Sequence, residues 1–585
     1  MNGQRSTEET DLDVHGWGIA DYAAAYADGA APGDVIEAVL AGLDRLDPRV
    51  LIGAPLRDRA RRDAAALAHA DRATRPLFGV PFVVKDNVDV AGEPTTAGCP
   101  GYAYLARRDA TLVARLRAAG AVVVGKANLD QFATGLVGTR TPYGTPPNAL
   151  RPDLVPGGSS SGSAVAVALG AVPFSIGTDT AGSGRVPAAL NGIVGFKPTV
   201  GKVSTAGIVP AVRRLDCPSV FARSVAEAQL VVHTISGPDP ADALSRSPTA
   251  VRPMRWPPRV GVAARWPDEL SMDDGLRRQF DAAVERLAGL GAAIVQVDLA
   301  PALELGAMLY GSAIVAERAT AVGDAVAKNL EGLDPTVAGI IRAATSWTAS
   351  DAYATEYRLA ELRMQVAALW ERVDVLATPA TPILPTLAAV AADPLGVNRT
   401  VGLLTSFVNL AGATSVVVPC APGSPGGLQL VAEAWHDDEL AAFADAYVSG
   451  ALGPAPAALT VVVVGAHLSG LPLNGQLTTR GAWLRATTTT APRYRLHALP
   501  GTEPPKPGLR RVTEGGAPIE VEVWSIGATE LGTFLDGVPA PLGLGSVELA
   551  DGSWQHGFIC EDWALNEAED ITAFGGWRAY LAARA

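Results

Sequence analysis

Apolar positions along the chain follow two regimes that change near residue 450. From residue 17 to 75, stretches such as DYAAAYADG and GDVIEAVLAGLDRL return an apolar residue every three or four positions, which predicts amphipathic helices. RPLFGVPFVVKDNVDVAG then carries a continuous run, VPFVV, expected to be a buried strand that ends at a polar turn. AGAVVVGKANL repeats that type: a helix ending in glycine, a Val-rich strand, a polar loop. PRVGVA, AAIVQVDLA, VDVLAT and TSVVVP are also strand-like, and helical stretches such as DDGLRRQFDAAVERLAGL separate them. Alternating strands and helices predict an α/β sandwich with helices on both faces. SGALGPAPAALT then reads as a small-residue hinge. Beyond it VVVVGAHL, APRYRLHAL, IEVEVWSI and GSVELADGSWQHGFIC are short β-like runs between Gly/Pro turns. The expected organisation is a first domain over 1–450, a linker over 451–460 and a smaller, mainly β (α+β) domain over 461–585. No internal repeat is visible.

Composition narrows the function classes. The 585-residue chain is 48% apolar and 18% charged, which suits a large buried enzyme rather than a disordered protein. Its net charge of −13 argues against nucleic acid as a partner. It also repels anionic substrates at long range, so a site for one needs its own buried cation. No apolar stretch reaches membrane-spanning length, and MNGQRSTEETDLDVHGWG has no signal-peptide core. Cys99, Cys217, Cys420 and Cys560 are scattered, with no Cys/His cluster for zinc. A cytoplasmic protein without metal, cofactor or membrane partner is expected. No Met-Lys-Met setting for biotin occurs.

The densest chemical signal is VPGGSSSGSAVAVALGAVPFSIGTDTAGSGRVP, residues 155–187. A flexible linker would need polar neighbours, yet this segment runs into AVAVALGAVPFSIG, which must be buried. A phosphate loop needs a lysine after its last glycine, and none is present. Residues 158–162 formally satisfy the G-x-S-x-G nucleophile elbow. That motif needs a strand before it, where LRPDLVPGG is broken by proline, and a downstream histidine, for which His436 is the candidate.

A fourth reading accounts for more residues. GGSSSGSAVAVALGAVPFSIGTDTAGSGRVPA resembles the signature of the amidase signature family, and the match continues in GVPFVVKDN, GKANLDQFATG and GIVGFKPT. The resemblance implies an α/β/α sandwich on a mixed central sheet. It implies Ser183 as nucleophile, Ser159 as a bridging serine after a cis Gly158–Ser159 bond, and Lys85 as base. A serine hydroxyl attacks only when a base takes its proton, and lysine is a base only when neutral. Burial beside Val83 and Val84 would favour that form. Backbone N–H groups of Thr180, Ala181 and Gly182, with Ser183 a further candidate, are the implied oxyanion hole. Asp179 and Arg185 are expected to brace the loop. Alanine at 181, where the family more often has glycine, keeps the N–H and narrows the pocket.

Two features point to a substrate. LYGSAIVAER, 309–318, resembles a stretch of allophanate hydrolases whose tyrosine and arginine hold the substrate, which implies Tyr310 and Arg318 as substrate-binding residues; Gly135 is a further substrate-binding candidate. Eight residues is about two helical turns, so Tyr310 and Arg318 are expected to share one helix face. The bland alternative is a solvated helix with a Glu317/Arg318 pair. VVVVGAHLSGLPLNGQL, TTTTAPRYRLHALPG and DITAFGGWRAYL resemble the C-terminal domain of the same enzymes. That implies His467 as a residue for decarboxylating the product, with Asn474 and Arg493 as candidates to hold a small anion. The resemblance thus implies hydrolysis of allophanate, or a close anionic ureido acid, in a homodimer functionally linked to a urea carboxylase. Departures at 311–314 and across 403–437, expected to line the site, leave open an amidase of another small amide with a regulatory or dimerisation tail. A non-catalytic scaffold is disfavoured by the intact Lys85, Ser159 and Ser183. The glutaminyl-type amidotransferases lack the tail.

Overall fold

The computed structural model describes residues 12–584, apart from 69, 248–253, 268–269, 454–457, 479 and 481. The strands of the first region's central sheet are β1 (Pro81–Lys85), β2 (Val122–Ala127), β3 (Phe174–Asp179), β4 (Val194–Lys197) and β5 (Cys217–Ala222). They continue as β6 (Arg259–Ala263), β7 (Ala293–Val297), β8 (Val375–Pro379), β9 (Thr414–Pro419) and β10 (Gly427–Ala432). These make one 10-stranded sheet in the order β2-β1-β3-β5-β4-β9-β10-β8-β6-β7. β1 runs parallel to β2 and β3, whereas β5 and the strands around β9 pair antiparallel, so the sheet is mixed.

Every residue of β1, β2 and β3 is buried, which is why these strands read as unbroken apolar runs and not as alternating ones. In β8 the side chains alternate between two cores: Val375 and Ala377 pack in one, Leu376 in the other. Helices therefore cover both faces. In the helix Asp274–Gly289 the buried residues are Leu276, Phe280, Ala283 and Leu287, one stripe of its surface, and the Asp273 carboxylate caps its first N–H groups. The Ala-rich start divides into three helices, Ile19–Ala27, Pro32–Leu43 and Arg57–Leu67. Among the described residues, no helix is long and apolar enough to cross a membrane.

The second region is mainly β and has its own core, built around Val461, Tyr494, Val521 and Trp524. Its longer strands are β11 (Ala458–Val463), β12 (Trp483–Thr489), β13 (Tyr494–Ala498), β14 (Pro507–Arg511), β15 (Glu520–Gly527), β16 (Leu542–Glu548) and β17 (Trp554–Cys560). Five of them form a sheet in the order β12-β15-β11-β17-β16. Of the span read as linker, 454–457 lie outside the described residues. Its last three residues belong to β11, where Leu459 and Thr460 pair with Ile526 and Ser525. Small residues there disguise a strand start as a hinge.

Candidate active site

Lys85 ends β1 with no solvent exposure. Its Nζ donates to Ser159 Oγ at 2.7 Å and to Thr178 Oγ1 at 2.8 Å. Thr178 lies on β3, the parallel neighbour of β1, so the two side chains meet at the same end of the sheet. Burial lowers the Lys85 amine to about 7, against the opposing pull of Asp130, Asp216 and Asp179. A lysine in this state reaches its neutral form far more readily at physiological pH than a solvated lysine does.

Ser159 follows a cis Gly158–Ser159 bond and precedes the helix Ser161–Ala168. A Cβ on Gly158 would lie 2.0 Å from Asp130 Oδ2, so only glycine fits there. Asp130 itself accepts from the N–H groups of Gly138 and Arg140, both at 2.9 Å. Ser160, the middle residue of the elbow-like motif, gives its hydroxyl to the Thr178 carbonyl at 3.1 Å. His436 stands at the N-cap of the helix Asp437–Ser449.

Ser183 is 2% exposed, and its hydroxyl faces the Gly135 carbonyl at 3.5 Å. No hydrogen bond joins it to Ser159 in this arrangement, so the structure closes one of the two links of the Lys85–Ser159–Ser183 chain. The loop before Ser183 is held by Asp179, whose carboxylate accepts from the N–H groups of Gly182 and Gly184, each at 2.9 Å, and from Arg185. Burial works against the Asp179 charge, but Arg185 outweighs it and keeps the carboxyl below its ordinary value. Gly182, expected among the oxyanion donors, thus spends its N–H on Asp179. The N–H groups of Thr180, Ala181 and Ser183 have no partner among the described residues. Gly182 has φ +132°, and a Cβ there would sit 2.3 Å from Thr405 Oγ1. Thr405 also donates to the Ala181 carbonyl at 2.6 Å, and Asn409 to that of Asp179 at 2.8 Å. The 403–437 stretch therefore supports this loop.

Tyr310 and Arg318 do not lie on one helix. The helix Ala300–Gly311 stops at Gly311, Ser312 is extended, and a new helix runs Ala316–Ala327. The chain turns back so that the two side chains still meet: the guanidinium lies 5.3 Å from the Tyr310 ring centre, and Nη2 is 3.4 Å from its hydroxyl. Arg318 is 1% exposed, and Glu317 pairs with Arg214 instead, so the solvated-pair alternative does not hold. Arg318 Nη1 donates to Thr134 Oγ1 at 2.8 Å, while its Nε has no partner. Thr134 and Gly135 are consecutive, so one dipeptide touches both Arg318 and Ser183.

In the second region His467 lines a cavity of about 190 Å³. Its Nε2 is 3.0 Å from Gln476 Oε1, and its ring packs against Phe534 and Phe558. Burial is the main cause that lowers its pKa, with Lys506 adding to it and Gln476 opposing. Asn474 spends its amide on the His467 carbonyl at 2.9 Å. Arg493 is exposed and is not a wall of this cavity, whereas Lys506 and Glu503 are. Among the described residues no group of His, Cys, Asp or Glu is arranged to hold a metal ion.

Comparison with known proteins accounts for both regions. The amidase family profile matches residues 34–441. The chain belongs to the amidase signature family. The profile of the allophanate hydrolase C-terminal domain matches residues 459–582. The chain is 42% identical to the urea amidolyase of Saccharomyces cerevisiae over 549 residues, 87% of this chain but 30% of that protein. It thus spans about a third of the length of that curated relative. The urea amidolyase of Lachancea kluyveri is likewise 42% identical, over 88% of this chain and 30% of its own length. Among solved structures, Kluyveromyces lactis allophanate hydrolase superposes with a TM-score of 0.72 at 38% identity, covering 98% of this chain and 100% of that one.

Residues missed from sequence are the partners of those found. Thr178 is adjacent to Asp179 in the motif, yet nothing local says that it faces Lys85. The bond between Thr134 and Arg318 spans 184 positions and leaves no local pattern.

Proposed function

We propose that the protein is an allophanate hydrolase acting through Ser183, Ser159 and Lys85. The observation that carries this reading is the buried Lys85 amine, held near neutrality, within hydrogen-bond reach of the Ser159 hydroxyl. The similarity to allophanate hydrolase over nearly the whole chain supports the choice of substrate.

In this mechanism Ser183 Oγ leaves its long contact with Gly135 by a side-chain rotation and turns to Ser159. As it attacks the carbamoyl carbon of allophanate, its proton passes to Ser159, whose own proton passes to Lys85. The tetrahedral oxygen is met by the unpaired N–H groups of Thr180, Ala181 and Ser183, in a site where fixed dipoles act strongly. Collapse expels ammonia, which takes the proton back along the same route. Water then attacks the acyl-serine and releases N-carboxycarbamate. Arg318 and Tyr310 hold the carboxylate end of the substrate, Arg318 as the buried cation that an acidic chain requires. The second region, with His467 over its cavity, decarboxylates the N-carboxycarbamate.

The reading places a urea-carboxylating activity upstream, and we assign the protein to the cytoplasm as a homodimer. Ammonia release from allophanate tests it, with Ser183→Ala and Lys85→Ala as controls. Turnover that survives both substitutions rules the mechanism out. Deleting residues 455–585 tests the second step: accumulation of N-carboxycarbamate supports it, and a change only in oligomeric state refutes it.

A further inference from the structure

The residues that support the oxyanion loop border a second concavity. Two adjoining cavities, of about 310 and 290 Å³, share Thr205, Arg213, Asp216 and Asp242 as walls. Lys85, Ser183, Tyr310 and Arg318 line neither. The larger also takes in Arg246, Arg363 and Asn409.

The acids here are already occupied. Asp242 accepts from the N–H and hydroxyl of Thr205 at 2.7 and 2.8 Å and from the N–H of Leu244 at 3.0 Å. Asp216 accepts from Thr180 Oγ1 at 2.5 Å and from the N–H groups of Ala211 and Val212. The cations are not occupied in the same way. Arg214 pairs with Glu317 and Glu356, but Arg213, Arg246 and Arg363 join no ion pair among the described residues. Arg246 gives one N–H to the Val200 carbonyl at 3.2 Å and lies 5.3 Å from the Trp435 ring centre. Arg363 gives only its Nε, to the Leu410 carbonyl at 2.8 Å. Arg213 and Arg363 therefore keep both terminal nitrogens, and Arg246 its Nη2, without a partner among the described residues around one space. These three guanidinium groups line this space, and although Asp216 and Asp242 share its wall with their own donors, the free positive charge favours an anion there.

We infer that this double cavity is an anion site distinct from the Ser183 centre, binding a phosphate or a small di- or tricarboxylate through Arg213, Arg246 and Arg363. Guanidinium forks match the paired oxygens of either group. Two of its walls are supports of the reactive loop: Asp216 holds Thr180, and Asn409 holds the Asp179 carbonyl and Arg185. An anion seated there lies beside these supports without entering the substrate site. The assignment does not depend on which amide Ser183 cleaves.

Calorimetric titration of the full chain with inorganic phosphate and, separately, with citrate tests it, in sodium chloride matched for ionic strength. Saturable binding of at least one probe is expected, and the stronger of the two identifies the source of the oxyanion. An Arg246→Gln/Arg363→Gln double variant weakens that binding about ten-fold or more, whereas Arg318→Gln retains it. The exposed Arg213→Gln alone moves it in the same direction, which covers failure of the double variant to fold. Binding that survives both the double variant and Arg213→Gln overturns the assignment. So does binding lost in Arg318→Gln, which would place the probe in the substrate site. Absence of saturable binding by either probe up to about 20 mM overturns it as well.

Discussion

The Lys85 centre and the His467 cavity both lower the pKa of a base by burial, but they surround that base differently. Lys85 has no exposure, and three carboxylates offset part of its desolvation, each tied to its own donors. His467 stands in an open cavity between two phenylalanine rings, with one side-chain hydrogen bond and with Lys506 as a neighbouring cation. A reaction that makes and breaks covalent bonds to the protein needs the first kind of site, where every dipole is fixed before charge moves. Decarboxylation of a small dianion needs less: a cation to hold it, and a proton donor near the carbon or nitrogen that gains electrons.

Substitutions test this contrast by the size of their effects. The largest is at the base. Lys85→Ala is expected to lower kcat for ammonia release by about a thousand-fold or more, since general-base assistance and proton relay are lost together. An effect under ten-fold would mean that Lys85 is structural. Next is Arg318→Ala, which raises KM for allophanate by about a hundred-fold with a smaller change in kcat, because the clamp acts alike on ground and transition states. A fall in kcat at unchanged KM contradicts the clamp.

The pH profile follows in size. Lys85 must be unprotonated to accept, so kcat/KM rises with pH through about 7 and levels off above it. A rate that falls with increasing pH over that interval contradicts a neutral Lys85. Thr134→Val removes one hydrogen bond to the Arg318 fork, about 1 kcal/mol, so KM rises about five-fold, kcat is nearly unchanged, and Thr134→Ser restores it. His467→Ala has the smallest effect on ammonia release. It shows instead in the product ratio, as N-carboxycarbamate outlasting ammonia formation in rapidly quenched 13C spectra.

How much of this was legible in the sequence depends on whether a feature is local. Lys85, Ser159 and Ser183 lie in ordered short motifs, each shaped by its own turn, so a linear reading finds them. The unbroken apolar runs of β1 to β3 announce strands buried on both sides. The break at Ser312 escapes a reading that takes the eight-residue spacing as one helix, although Gly311-Ser312 carries a local signal: the Ser312 hydroxyl caps the turn that follows and accepts from the Ile314 N–H. By contrast the motif offers four N–H groups to an oxyanion, and only the fold shows Asp179 taking the one on Gly182. Composition near 458 hides the start of β11 because Ala and Leu serve a hinge or a strand equally well.

The Thr134–Gly135 dipeptide meets the Arg318 guanidinium with its threonine hydroxyl and faces the Ser183 hydroxyl with its glycine carbonyl, across neighbouring Cα atoms about 3.8 Å apart. If Ser183 and Arg318 act on one substrate as proposed, the short backbone between their two contacts favours a substrate whose carbonyl and carboxylate lie close together. On that proposal an acid lengthened by one methylene is expected to show a lower kcat/KM than allophanate.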